Sequence, residues 1–150
     1  MQPIAGLIKT MRPRQWAKNV LVYAGLVFDG QLLNPESFLR VTAAFLLLCL
    51  ISGSIYIIND LADIESDRKH PTKSKRPLPS GQVPVGLART AAVVLPVITF
   101  VLAALFSPSF AIVGLTYFLL QLLYSFWLKR VVILDVLTIM MGFVLRVLAG

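Results

Sequence analysis

The chain has 150 residues, 57% of them apolar and 14% charged, with a net charge of +7 and a mean hydropathy of +0.81. That composition excludes an ordinary soluble domain and points to an integral membrane protein. The basic excess reads as topology and contact with anionic lipid of the bilayer, not as nucleic-acid binding.

Residues 1–18 read as an amphipathic interfacial helix, with Lys9, Arg12, Arg14 and Lys18 supplying charge and Trp16 a headgroup-level anchor. They lack a signal peptide's order, because the basic residues follow the first apolar cluster. A weak apolar run at 19–33, interrupted by Asp29, gives a short first span, with a re-entrant or tilted helix as the alternative. Stronger runs at 41–58, 85–106, 110–128 and 131–150 each reach the roughly 17–25 residues that cross a bilayer. If these five spans alternate, every basic residue except Arg40 and Arg146 falls on one side, which the positive-inside rule makes cytoplasmic. Turns at 34–37 and 107–109 lie on the other side. The one cysteine, Cys49, sits mid-span and reads as packing, with no disulfide framework.

The end of the second span is the most informative stretch, because four of the seven acidic residues (Asp60, Asp63, Glu65 and Asp67) gather there. At about 100° per residue, Tyr56, Asn59, Asp60, Asp63 and Asp67 share one helical face and Glu65 points away. Oxygen ligands on one face suit Mg²⁺, a hard cation that keeps positions for substrate phosphate oxygens. The competing reading is a solvated helix end whose acids pair with Arg68 and Lys69.

In the polar connection that follows, Pro71, Pro77, Pro79, Gly81 and Pro84 forbid a helix beyond about His70, so the loop should turn back over the helix mouth. There Lys73 and Arg76 read as phosphate clamps, Arg offering bidentate contacts and Lys a point charge. Lys75 reads as topological charge, and His70 as a helix-terminating or loop-packing residue in preference to a general base. Lys18 is either an interfacial anchor or a phosphate ligand. Lys129 and Arg130 close the fourth span as anchors, with Lys129 also a candidate to reach the site. Arg146 lies inside the last run, where an ionisable group costs at least ~2.5–3.5 kcal/mol and so faces a polar cavity by default. The chain reads as a single membrane domain over 1–150. It stops inside an apolar run, and more of the protein is expected beyond Gly150.

Asn59, Asp60, Asp63 and Asp67 stand in the pattern NDxxDxxxD, which resembles the first aspartate-rich motif of the UbiA superfamily of intramembrane prenyltransferases. Residues 12–22 (RPRQWAKNVLV), 67–81 (DRKHPTKSKRPLPSG) and the stretch from 124–129 (YSFWLK) to 142–146 (GFVLR) are similar to its decaprenyl-phosphate phosphoribosyltransferase branch, N-terminal half. The resemblance implies an all-α, polytopic transmembrane bundle, with about five helices seen of an expected nine. It further implies an enzyme of cell-wall precursor synthesis: Mg²⁺-dependent transfer of 5-phosphoribose from phosphoribosyl pyrophosphate to a polyprenyl (decaprenyl) phosphate, releasing pyrophosphate.

On matching positions the resemblance implies that Asn59 and Asp63 hold the metal, with Asp60 and Asp67 supporting it. Lys18, Tyr56, Lys73, Lys129 and Arg146 would then contact the donor, and Arg76 a phosphate at the lipid side. The superfamily's second aspartate-rich motif is not among these residues. The spacing of Tyr124 and Lys129 also departs from the YxxxK of many members, which disfavours the aromatic prenyltransferases. Two competing readings are a prenyltransferase using a prenyl pyrophosphate donor and an aromatic acceptor, and a non-catalytic lipid-phosphate-binding membrane protein. A homo-oligomer is compatible with each.

Overall fold

A computed structural model of the chain describes residues 2–127, and among them there is helix but no strand. The order is α1 (Gln2–Thr10), a 3₁₀ segment (Pro13–Tyr23), α2 (Ala24–Phe28), α3 (Pro35–Ala62), α4 (Ile64–Lys69), a 3₁₀ turn (Lys73–Lys75), α5 (Val85–Phe106) and α6 (Pro108–Phe126). Three of these, α3, α5 and α6, are long and apolar enough to cross a membrane. They match the runs expected at 41–58, 85–106 and 110–128. The expected fifth span, with Lys129, Arg130 and Arg146, lies outside the described residues.

α3 is the central element and packs against α1, α5, α6 and the 3₁₀ segment. Its start is written in sequence: Pro35 occupies the first turn, and the Asn34 side chain accepts from the N–H groups of Glu36 at 3.0 Å and Ser37 at 3.3 Å. With 28 residues, α3 is about 42 Å long, against roughly 30 Å of hydrocarbon. That excess is taken up by tilt or by an end that reaches the polar zone. A single residue, Ser107, joins α5 to α6 and caps α6 by accepting from the Phe110 N–H at 3.3 Å. The two helices form an antiparallel hairpin zipped by edge-to-face rings, Phe100 on Phe118 and Phe106 on Phe110.

Two apolar clusters fill the interior. The larger joins α3, α5, α6 and the 3₁₀ segment around Val22, Leu48, Ile51 and Tyr117. The smaller lies under the polar connection, around Met11, Ile57, Leu78, Val83 and Ala88. By contrast Val93, Val97, Val101 and Leu105, four apart along α5, are all more than half exposed. Such a continuous apolar stripe suits lipid or neighbouring helices and not water.

The N-terminal quarter differs from expectation in three respects. Residues 1–18 are not one helix: α1 stops at Thr10, and Arg12 takes a left-handed conformation at φ 53°. Pro13 is the reason, since its ring disfavours right-handed helix at the residue before it. Trp16 is not a free headgroup anchor, because it is half-buried against the smaller core and donates from Nε1 to the Met11 carbonyl at 3.1 Å. The run at 19–33 is no spanning α-helix either. It is divided between the 11-residue 3₁₀ segment and the five residues of α2. Because a 3₁₀-helix rises about 2 Å per residue against about 1.5 Å for an α-helix, Pro13–Phe28 still extends roughly 30 Å.

At the end of the bundle remote from the acidic motif, a cavity of ≈ 870 Å³ opens between the start of α3 and the α5–α6 joint. Asp29, Gln31, Arg40, Ser107 and Phe110 are among its lining residues.

Candidate active site

The last turns of α3 carry Tyr56, Asn59 and Asp60, Asp63 forms the joint to α4, and α4 carries Asp67. The expected single helix is in fact two, because Asp63 sits near ψ 7° and is not in helical geometry. Asp also competes for backbone groups that a helix interior would use. Hydrogen bonding nonetheless steps through the joint, from the Asp63 N–H to the Asn59 carbonyl at 3.0 Å and from the Asp67 N–H to the Asp63 carbonyl at 2.8 Å. The two ends of the acidic face thus stay together.

His70 then ends α4 in the extended conformation that a following proline requires. Its Nδ1 accepts from the N–H groups of Thr72 at 3.2 Å and Lys73 at 3.3 Å, which starts the 3₁₀ turn. The chain then doubles back: Pro77, Leu78 and Pro79 are buried, and the Val83 N–H donates to the Pro77 carbonyl at 3.0 Å. The loop thus closes over the helix mouth as its prolines indicate.

Closure brings the loop's cations onto the acids. Arg76 Nη1 lies 2.8 Å from Asp67 Oδ2 and 3.5 Å from Asp60 Oδ1, and Lys73 Nζ lies 3.6 Å from Asp67 Oδ1. The alternative pairing through Arg68 is not formed, since Arg68 binds the outward-facing Glu65 at 2.9 Å.

A third cation, Arg12, comes from the opposite end of the sequence, its Nη2 donating to Asp60 Oδ1 at 2.8 Å. Its guanidinium also lies 4.7 Å from the Tyr56 ring centroid, at cation–π distance. Sequence reasoning counted Arg12 only as an interfacial charge. What places it is a close approach of the turn to α3: a Cβ added at Gly53 would lie 2.5 Å from Met11 Cε and 3.1 Å from Met11 Cβ. Gly53 therefore makes room for Met11, and Met11 sets the next residue over Asp60. The available signal was the Arg12-Pro13 pair, which marks a break and not a continuing helix.

The side chains of Asp60 and Asp67 are 4% and 2% exposed. Carboxylates so buried persist only when paired and hydrogen-bonded. Here three cations surround two carboxylates. The cluster thus carries one excess positive charge, and an arriving anion would balance it.

Beside the cluster, Asn59 Oδ1 is buried with no hydrogen-bond partner among the described residues. An acceptor left without a donor is what a bound cation or water would satisfy. Among the described residues no three His, Cys, Asp or Glu converge on one point. Mg²⁺, however, is usually held by one or two carboxylates together with substrate phosphate oxygens and water. Asn59 with Asp63, one turn apart and half-buried, fits such a shared site, not a closed protein cage.

Lys18 is exposed on the 3₁₀ segment, with no hydrogen bond or ion pair among the described residues. Its neighbour Asn19 is buried and donates to Ser52 Oγ at 3.2 Å and Cys49 Sγ at 3.5 Å, fastening the segment to α3. Lys129 and Arg146 lie outside the described residues. Of the expected site residues, Tyr56, Asp60, Asp67, Lys73 and Arg76 thus meet in one network.

The UbiA prenyltransferase family profile matches residues 20–150. The chain is 40% identical to the decaprenyl-phosphate phosphoribosyltransferase of Mycolicibacterium smegmatis, over 98% of this chain and 48% of that protein. It is 39% identical to the Corynebacterium glutamicum protein of the same name, over 97% of this chain and 45% of that one. Similarity extends to the digeranylgeranylglyceryl phosphate synthase of Hyperthermus butylicus, 33% identical over 87% of this chain and 44% of that protein. The chain spans about half the length of the curated relatives it matches. Membrane-length helices, an aspartate-rich helix end under a basic loop, and a profile match over most of the sequence agree: this chain belongs to the UbiA prenyltransferase family.

Proposed function

We propose that this chain supplies the first half of a polyprenyl-phosphate phosphoribosyltransferase, which moves 5-phosphoribose from phosphoribosyl pyrophosphate to a polyprenyl phosphate such as decaprenyl phosphate and releases pyrophosphate. The observation that carries the reading is the closure of Arg76 and Lys73 over Asp60 and Asp67, next to the orphaned oxygen of Asn59. Cations and hard oxygen ligands side by side are what a metal-bound pyrophosphate needs. Similarity to the phosphoribosyltransferases over nearly the whole chain supports the same donor and acceptor. The positive-inside distribution supports a site facing the cytoplasm.

The donor's C1–oxygen bond breaks with negative charge developing on the leaving pyrophosphate. Lys73 neutralises that charge within a partly dry cleft, Lys18, Tyr56, Lys129 and Arg146 complete the donor contacts, and Arg76 holds a phosphate at the lipid side. Asn59 and Asp63 would hold Mg²⁺, which when bound would supply Lewis-acid stabilisation of the developing negative charge. Asp60 and Asp67 keep the cations in place. The acceptor phosphate is already an anion, so aligning it with C1 matters more than removing a proton.

The test is transfer of labelled phosphoribose from phosphoribosyl pyrophosphate to a polyprenyl phosphate, using the natural protein with whatever its gene encodes beyond Gly150. We expect transfer that requires Mg²⁺ and is abolished by Asp63→Ala. No transfer under any metal overturns the reading. Label passing instead from a prenyl pyrophosphate to an aromatic acid establishes the second reading, which the family's description as prenyltransferases favours.

A further inference from the structure

We propose that Arg12 and Arg76 form a two-guanidinium clamp for a phosphate group, with the buried Asp60 as the residue that positions them. The inference rests on the phosphoryl-substrate reading and adds Arg12 to the groups that touch substrate. Both guanidiniums reach the same atom, Asp60 Oδ1, at 2.8 and 3.5 Å. Yet they come from segments 64 positions apart, one on each side of the helix end. Asp60 is 4% exposed beneath them, while each arginine side chain is 34% exposed. An anion arriving from solvent therefore meets the guanidiniums before the carboxylate.

Arg12 spends one N–H on Asp60 in a single short contact, and a guanidinium offers five. Two such groups held side by side suit the several oxygens of a phosphate. A divalent cation at Asp60 Oδ1, by contrast, would lie against two positive groups. That oxygen therefore serves the arginines, and metal binding is left to Asn59 and Asp63.

The backbone supports the same assignment. Arg12 is the one residue other than glycine with positive φ among the described residues. Its left-handed conformation, which costs an arginine roughly 1–2 kcal/mol, is over-determined by its surroundings. Met11 is seated on Gly53, Trp16 donates to the Met11 carbonyl, and the guanidinium stacks on Tyr56. Strain held this firmly at one side chain's root is characteristic of functional positions.

The experiment is direct binding of inorganic pyrophosphate, and separately of a short-chain polyprenyl phosphate, to the natural protein in lipid nanodiscs by calorimetry, with and without Mg²⁺. Arg12→Ala should weaken one of the two ligands roughly 10- to 100-fold, the loss expected for charge-assisted hydrogen bonds. Arg12→Lys should recover only part of it, because an ammonium lacks the fork. Loss confined to pyrophosphate puts the clamp on the donor, and loss confined to the lipid phosphate puts it on the acceptor. Unchanged affinity for both in Arg12→Ala, with only the melting temperature lowered, reduces Arg12 to a structural partner of Asp60 and overturns the proposal. If Arg12→Ala does not fold, Arg12→Lys is read by the same criterion. A wild-type protein that binds neither ligand overturns the proposed function as well, whereas binding that is insensitive to Arg12 overturns the clamp alone.

Discussion

Each end of α3 carries an arginine–carboxylate contact, and the two differ in every respect that matters energetically. At the N-terminal end Arg40 and Glu36 are 3.8 Å apart, with side chains 75% and 81% exposed. At the C-terminal end Arg12 meets Asp60 at 2.8 Å with the carboxylate 4% exposed, and a second arginine shares it. An exposed pair one turn apart contributes little, because water screens it and two mobile side chains must be ordered. A buried carboxylate between two guanidiniums holds three segments of chain in register, and removing a partner leaves an uncompensated charge. Convergence from distant segments, not charge count, separates the candidate site from the rest of the polar surface.

The contrast is broken most severely by Arg76→Ala. Arg76 serves both buried carboxylates, so its loss should cost about 3–5 kcal/mol and lower the melting temperature of the purified protein. A shift no larger than that of a surface variant would show that Asp60 and Asp67 are adequately served by Arg12 and Lys73. Gly53→Ala tests the approach that brings Arg12 to the site. Met11 Cβ stands 3.1 Å from the added carbon and cannot rotate away. We expect about 1–3 kcal/mol of destabilisation, together with weakened pyrophosphate binding. Wild-type binding would mean that the turn shifts without moving the guanidinium.

At the other end, Asn34→Ala removes the acceptor for two N–H groups at the start of α3 and should cost about 1 kcal/mol, read as a modest fall in melting temperature. Arg40→Ala should change stability by no more than about 0.5 kcal/mol. A larger loss there would mean that the far-end cavity depends on Arg40, and the contrast between the two ends would narrow.

Much of this arrangement is legible in the chain itself. Three of the four long apolar runs become α3, α5 and α6, and the prolines at 71, 77, 79 and 84 foretell the loop that brings Lys73 and Arg76 to the acids. These features are local: hydropathy and backbone restriction act over a few residues. Arg12 was hidden because its partner is 48 residues away and its position depends on the absence of a side chain at Gly53. No periodicity records such an approach. The 3₁₀ segment was hidden for a related reason. Its hydropathy pattern does not distinguish a 3₁₀ from an α-helical backbone, and its attachment to α3, through Asn19 on Ser52 and Cys49, joins residues some thirty positions apart.

The one-residue joint at Ser107 bears on how the protein is made. The 22 residues of α5 and the 19 of α6 are separated by too little chain for one helix to settle across a bilayer while the other waits outside. The pair should therefore partition as a preformed hairpin, entering from the side where its two outer ends remain, and its biogenesis should be concerted. Lengthening the joint with a flexible polar insert would decouple the two events, which would then appear as separately trapped intermediates during synthesis.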